Sequence, residues 1–179
     1  MSKQHKNLKI RILTSRQDAY FATFSDMLYA YIKELHDIDP KHVTIRTQGL
    51  LEKEYFHAVS STNCYVLLDN DTCVGFAILG TKPNCHPYAD IYIEEFYITP
   101  EYRHKKYGHA FAKMLINESI SRVCFYILPD NKPALSFWHD IFKDWNDLSN
   151  TINDVHPPHW LCWNFYERKH MVNTKNNTN

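Results

Sequence analysis

The sequence predicts an α+β fold, a single mixed sheet flanked by helices. Three observations carry that expectation. Short alternating or continuously apolar runs are interspersed with longer stretches whose apolar residues recur every three to four positions, so the hydrophobic period moves between 2 and 3.6. Strand-like runs occur both before and after helical ones, which suits one sheet layer with helices on its faces. Finally, the β-branched and aromatic run Ile91-Tyr92-Ile93-Glu94-Glu95-Phe96-Tyr97-Ile98 stops at Thr99-Pro100. A cationic turn then opens a helix.

Leu8 to Leu13 alternates apolar and polar residues and reads as a strand. Thr14 or Ser15 is placed to cap a helix whose stripe runs through Phe21, Phe24, Met27, Leu28, Tyr31, Ile32 and Leu35. A shorter helix is expected from Thr47 to Val59. Cys64–Leu68 and Val74–Leu79 are apolar runs separated by Asp69-Asn70-Asp71-Thr72, a hairpin signal. Thr81 to Tyr88 contains two prolines and reads as a loop. A strand from Tyr88 to Ile98, a helix from Tyr107 to Ser121, a strand from Val123 to Leu128, a helix from Asn131 to Phe142 and a last strand from Trp160 to Phe165 complete the order.

At 179 residues the chain is expected to form one domain over residues 1–172, with the polar tail 173–179 frayed. Lysine plus arginine and aspartate plus glutamate number 20 each, and this balance argues against a nucleic-acid binder. No apolar run is long enough to cross a membrane, and the polar start Met1 to Asn7 has no apolar core of a signal peptide. A cytoplasmic location follows as the expectation. The scattered Cys64, Cys73, Cys85, Cys124 and Cys162 are then expected to be free thiols.

The chemistry concentrates at the turn. Arg103, His104, Lys105, Lys106, Tyr107, Gly108 and His109 lie where a strand hands over to a helix. Unpaired N–H groups and the helix dipole bind phosphate at such a place. On the preceding strand, Glu94 and Glu95 are adjacent and so are expected to point to opposite faces. His156, His159 and Cys162 are metal-capable, but the intervening Pro157-Pro158 prevents their presentation from one helical turn, and no metal site is expected.

These residues resemble the GCN5-related N-acetyltransferase (GNAT) superfamily. Its signature Arg/Gln-x-x-Gly-x-Gly/Ala is matched by Arg103, Lys106 and Gly108, with lysine at the middle glycine. Its Asn-x-x-Ala pattern is matched by Asn131 and Ala134, followed by Phe137-Trp138, with Trp138 where many members carry an acidic tyrosine. The Asn-x-Pro-Ala-x-x-Phe-Trp version is similar to a poorly defined bacterial branch. The resemblance implies splayed central strands that form an acetyl-CoA groove. It implies cofactor contacts from Phe96, Tyr97 and Ile98 along the strand, from the 103–109 turn, and from Asn131, Ala134 and Phe137 on the far side.

The strand also looks like that of diamine acetyltransferases, which puts a catalytic base at Glu94, with Glu95 as second choice and Tyr126 as a replacement acid. In this superfamily the first helix often borders the acceptor pocket, which draws in Tyr29, Tyr31, Glu34, His36 and Asp37. The implied activity is acetyl transfer to a primary amine of a small molecule or protein by direct attack. A non-catalytic acetyl-CoA-binding sensor on the same fold is the alternative. The aromatic-rich last strand could serve a homodimer.

Overall fold

The computed structural model describes residues 7–61, 63–80, 89–150 and 161–169. The elements in chain order are β1 (Leu8–Leu13), α1 (Phe21–Ile38), α2 (Gln48–Ser60), β2 (Cys64–Asp69), β3 (Thr72–Gly80), β4 (Ile91–Ile98), a 3-10 turn at Pro100–Tyr102, α3 (Tyr107–Leu115), β5 (Arg122–Ile127), α4 (Lys132–Phe142), β6 (Asn146–Asp147) and β7 (Cys162–Glu167). They form one seven-stranded sheet in the order β1-β2-β3-β4-β5-β7-β6, flanked by four helices. The expected α+β architecture is therefore present. The expected loop 81–88, the histidines 156 and 159, Cys85 and the tail 173–179 lie outside the described residues.

Every strand pairing is antiparallel except β4 with β5. A parallel pair needs a crossover, and the 3-10 turn and α3 supply it. The crossover puts α3 and then α4 on one face, where Phe111, Leu115, Trp138 and Phe142 pack on Val74, Ala77, Ile93, Ile98 and Phe125. On the other face, α1 and α2 bury Phe24, Leu28, Ile32 and Val59 against Val66, Phe76, Ile78 and Tyr97. Each large apolar side chain so buried contributes about 1.5–3 kcal/mol.

Two helix boundaries and one short strand differ from the sequence expectation, for local reasons. Helix α1 begins at Phe21 because Ser15 and Asp18 first build a turn: Asp18 N–H donates to the Ser15 carbonyl, and Tyr20 N–H to the Asp18 carboxylate. Helix α3 ends at Leu115 rather than Ser121. Asn117 accepts from both Ser119 N–H and the Ser119 hydroxyl, and such a side-chain turn competes with helix. The two-residue β6 is too short to leave a periodic signal. The free-thiol expectation also needs correcting: Cys64, Cys73 and Cys162 are free, but Cys124 is disulfide-bonded. Scattered spacing carries no pairing information.

Two irregularities shape the middle of the sheet. Strand β4 pairs with β5 only through Ile91–Val123, Tyr92–Cys124 and Ile93–Phe125; beyond Ile93 the two strands part. On its other edge β4 is bulged, since Ile78 opposes Glu95 while Leu79 opposes Ile93, leaving Glu94 as the extra residue. Gly75 admits a further close approach. A Cβ there would stand 2.4 Å from the Tyr97 carbonyl oxygen and 2.7 Å from Ile98 Cδ1. Gly75→Ala is accordingly expected to cost about 3 kcal/mol through overpacking. A thermal melt checks this, and an unchanged midpoint would mean that β3 and β4 do not approach this closely.

Candidate active site

The bulge changes what the two glutamates can do. Regular alternation would put Glu94 and Glu95 on opposite faces, but Ile93 and Phe96 both pack with the α3–α4 core. The extra residue between them leaves both carboxylates toward α1 and α2. Glu95 accepts hydrogen bonds from the hydroxyls of Tyr31 on α1 and Tyr55 on α2, each at 2.6 Å. Glu94 faces α2, 3.8 Å from His57 Nε2. Both glutamates line a cavity of about 480 Å³ that runs from α1 and α2 through the β4–β5 opening to Asn131, Ala134 and Trp138.

Burial and charge set the proton affinities there. Removal from water raises the Glu95 pKa to about 7, Glu94 and Glu54 add to the rise, and the two tyrosine hydrogen bonds oppose it. Tyr31, Tyr55 and Tyr92 are all pushed upward, first by burial and then by the Glu95 charge, so they remain protonated donors. Tyr92 lies over Gly80, where a Cβ would meet its ring at 2.4 Å, and its edge meets Tyr126 at 6.1 Å. Tyr126 lines the same cavity, packs on Trp163, and is raised by burial.

The far wall is aromatic. Trp138 is 6% exposed and lies 5.0 Å from both Phe96 on β4 and Phe125 on β5, ring centre to ring centre. It therefore bridges the two strands at the place where they separate. Phe137 stacks on Phe96 at 5.5 Å. Asn131 caps α4 by accepting from Ala134 N–H at 3.2 Å.

The cationic turn is held from several sides. His104 (φ 57°) and Lys106 (φ 67°) both adopt the left-handed conformation, Lys106 at the place where the family motif has glycine. Helix α3 starts directly after Lys106 with no side-chain cap and no acidic residue in its first turn. Gly108 lets Phe137 come close, since a Cβ there would lie 3.1 Å from its ring. The turn's side chains are largely engaged with protein. Arg103 donates to the Ile98 carbonyl and to Glu34, Lys105 to the Glu101 carbonyl, and Tyr107 to Asp69 of β2, while His109 meets Asp140 at 2.7 Å.

Of the strand residues expected at the cofactor, Phe96 lines the cavity. Tyr97 turns to the α1 side and donates to Glu34 at 2.9 Å, and the Ile98 side chain is core. The sequence reading did not bring out Tyr55 or Tyr92. It grouped Tyr31 and Glu34 on the first helix without seeing that, three residues apart, they share one face.

The sequence matches the profile of the Acetyltransferase (GNAT) family over residues 24–142, well over half of the chain. The chain belongs to the GNAT acetyltransferase family. Solved structures agree on the fold. The PaiA N-acetyltransferase of Thermoplasma acidophilum, solved with coenzyme A, superposes with TM-score 0.59 at 18% identity, over 92% of this chain and 99% of that one. The diaminobutyrate acetyltransferase EctA of Paenibacillus lautus, solved with L-2,4-diaminobutyric acid and coenzyme A, gives 0.56 at 11%, over 90% and 95%. A GNAT-family acetyltransferase of Bacillus anthracis gives 0.57 at 13%, over 90% and 94%. Among curated protein sequences none matches significantly.

The family's acetyl donor is acetyl-CoA, and this GNAT chain has the features to take it. The parting of β4 from β5 leaves a β4 edge free of β5 partners from Glu94 to Ile98, and the uncapped start of α3 follows that edge. Among the described residues no group of side chains could hold a metal ion, and no helix is long and apolar enough to cross a membrane.

Lys106→Gly tests the turn. It removes the cost of a left-handed side-chain residue, about 1–2 kcal/mol, against the greater freedom of glycine in the unfolded chain, about 0.4–1 kcal/mol. A rise in stability of about 0.5–1 kcal/mol is expected by denaturant titration. A loss instead would mean that the lysine side chain itself holds the turn.

Proposed function

We propose that this GNAT member transfers the acetyl group of acetyl-CoA to a primary amine of a small molecule or protein by direct attack, with Glu95 as the proton acceptor. One observation carries the reading. A carboxylate whose pKa is pushed up to about 7 lines a cavity that reaches through the β4–β5 opening. A base poised near working pH is the effective one for this proton transfer.

Bound acetyl-CoA supplies an acetyl group already activated as a thioester. The chain's residues do the rest. Glu95 takes a proton from the incoming ammonium, leaving a nucleophilic amine. Tyr31 and Tyr55 each occupy one lone-pair direction on its two oxygens, which orients the carboxylate and leaves it able to accept. N–H groups of β4 and of the first turn of α3 would bind the thioester arm and the pyrophosphate. Residues 103–109 would contribute there through their backbone more than through side chains, most of which are engaged. Tyr126, whose hydroxyl stays protonated, is the candidate proton donor to the leaving side.

The cavity also favours a cationic acceptor. Glu94 and Glu95 lie together in it, whereas the lining cations are matched: Arg46 pairs with Glu54, and His42 with Asp39 at 2.8 Å. EctA, solved with L-2,4-diaminobutyric acid, has the same fold. A diamine is therefore expected to be acetylated with kcat/KM about tenfold or more above the monoamine of equal length, the scale of one charge-assisted contact. Equal rates would remove the preference and leave the chemistry.

The decisive assay follows coenzyme A thiol release over pH 5.5–9 with an amine panel. The rate should rise through a midpoint near 7, because the ionised carboxylate is the working form. Glu95→Gln should lower kcat/KM about 10²–10³-fold and abolish that midpoint, while Glu94→Gln should retain a midpoint but move it to lower pH, because the Glu94 charge helps to raise the Glu95 pKa. Stability supplies a second reading. A raised folded pKa gives a contribution present below about 4.5 that is lost as pH climbs through about 7, so Glu95→Gln should flatten this decline.

A Glu95→Gln enzyme with an unaltered pH profile would overturn the role of Glu95. Coenzyme A binding without turnover of any amine would favour the non-catalytic reading. The observation behind that second reading is Trp138, a buried indole where many members have an acidic tyrosine.

A further inference from the structure

We infer that Glu34 is a positioning residue that fixes the cofactor turn to the base through one face of α1. The inference rests on the proposed acetyl transfer only for its acceptor half.

The argument starts from Arg103, the first residue of the turn. Its Nε donates to the Ile98 carbonyl at 2.8 Å, which fastens it to the end of β4. Its Nη2 donates to both Glu34 oxygens, at 2.8 and 3.0 Å, and its guanidinium lies 5.2 Å from the Tyr97 ring centre. Glu34 Oε1 also accepts from the Tyr97 hydroxyl. One carboxylate thus receives the turn and a β4 side chain together. Four hydrogen bonds converge on the Arg103–Glu34–Tyr97 group.

Glu34 sits three residues from Tyr31, so both project from one face of α1. Tyr31 holds Glu95, and Glu34 holds Arg103. The two anchors are one helical turn apart on a rigid element, and β4 runs beneath them from Glu95 to Ile98. A shift of α1 that disturbs one anchor must disturb the other. The base and the anion-binding turn are therefore set in register by α1 instead of by direct contact.

The side chains of Arg103 and Glu34 are 36% and 38% exposed, so the pair is screened and its effect is moderate. Glu34→Gln keeps shape and removes charge; Arg103→Lys keeps charge and removes the two-pronged geometry. Calorimetric titration with coenzyme A should show either change weakening binding roughly 3–10-fold. The double variant should be little worse than either single one, because both remove the same link. With a turned-over amine, Glu34→Gln should also raise KM for the acceptor and shift the pH midpoint, since Tyr31 is displaced from Glu95.

Coenzyme A affinity unchanged in both variants, or strictly additive losses, would overturn the inference. So would a change confined to melting temperature. A wild type that binds coenzyme A but acetylates nothing would sink the proposed function while leaving the calorimetric arm in force.

Discussion

The site depends on an interruption in the sheet. Strands β4 and β5 exchange parallel pairing for three residues and then part. A parted strand leaves unpaired N–H and C=O groups, which are costly to bury without partners, so the opening persists only if something holds it and something can fill it. The aromatic layer under the sheet holds it. Trp138 lies equally far from Phe96 on one strand and Phe125 on the other, and Phe142 and Tyr166 continue the stack beyond it. Closing the strands would require displacing an indole from a packed interior that has little free volume.

The same interruption decides where charge can lie. Glu95 would be an unfavourable residue in a continuous sheet beneath two helices. At the edge of the opening burial still penalises its charge, and the hydroxyls of Tyr31 and Tyr55 offset part of the cost. The bulge then turns Glu94 toward the same side, which adds negative potential and raises the proton affinity of Glu95 further. A single extra residue in β4 thereby converts two strand glutamates into a pair that shares one cavity. Bulges commonly re-aim side chains beside functional sites.

Much of this was legible from residue order. The alternation Leu8–Leu13 and the Asp69–Thr72 turn locate the first strands, and Asn131 does cap its helix as its position before Lys132-Pro133 suggests. What could not be read were the features that depend on register. No pattern in Ile91–Ile98 announces a bulge, so strict alternation separates Glu94 from Glu95 when the fold unites them. Nor does a run of cations reveal its partners. Arg103 reads as a phosphate ligand until Glu34, 69 positions away, is seen to take its guanidinium. The pairing of Cys124 escaped for a related reason, since it depends on distance in space and not on spacing along the chain.

Position 138 draws these threads together. A tyrosine there would bring an acidic hydroxyl, whereas tryptophan brings an N–H that donates but does not act as an acid. Tryptophan also brings the larger ring, and its contacts with Phe96, Phe125, Phe137 and Phe142 span the gap under the parted strands. At this position the chain favours the width of the groove over a proton donor. The leaving group of a thioester has a pKa near 8.5, so its departure needs less help than that of an alkoxide or amide. In the proposed transfer the more demanding step would be the deprotonation of an ammonium, normally near pKa 10.4. Burial, two tyrosines and a second carboxylate all act on Glu95, while Tyr126 is the β5 hydroxyl that lines the same cavity.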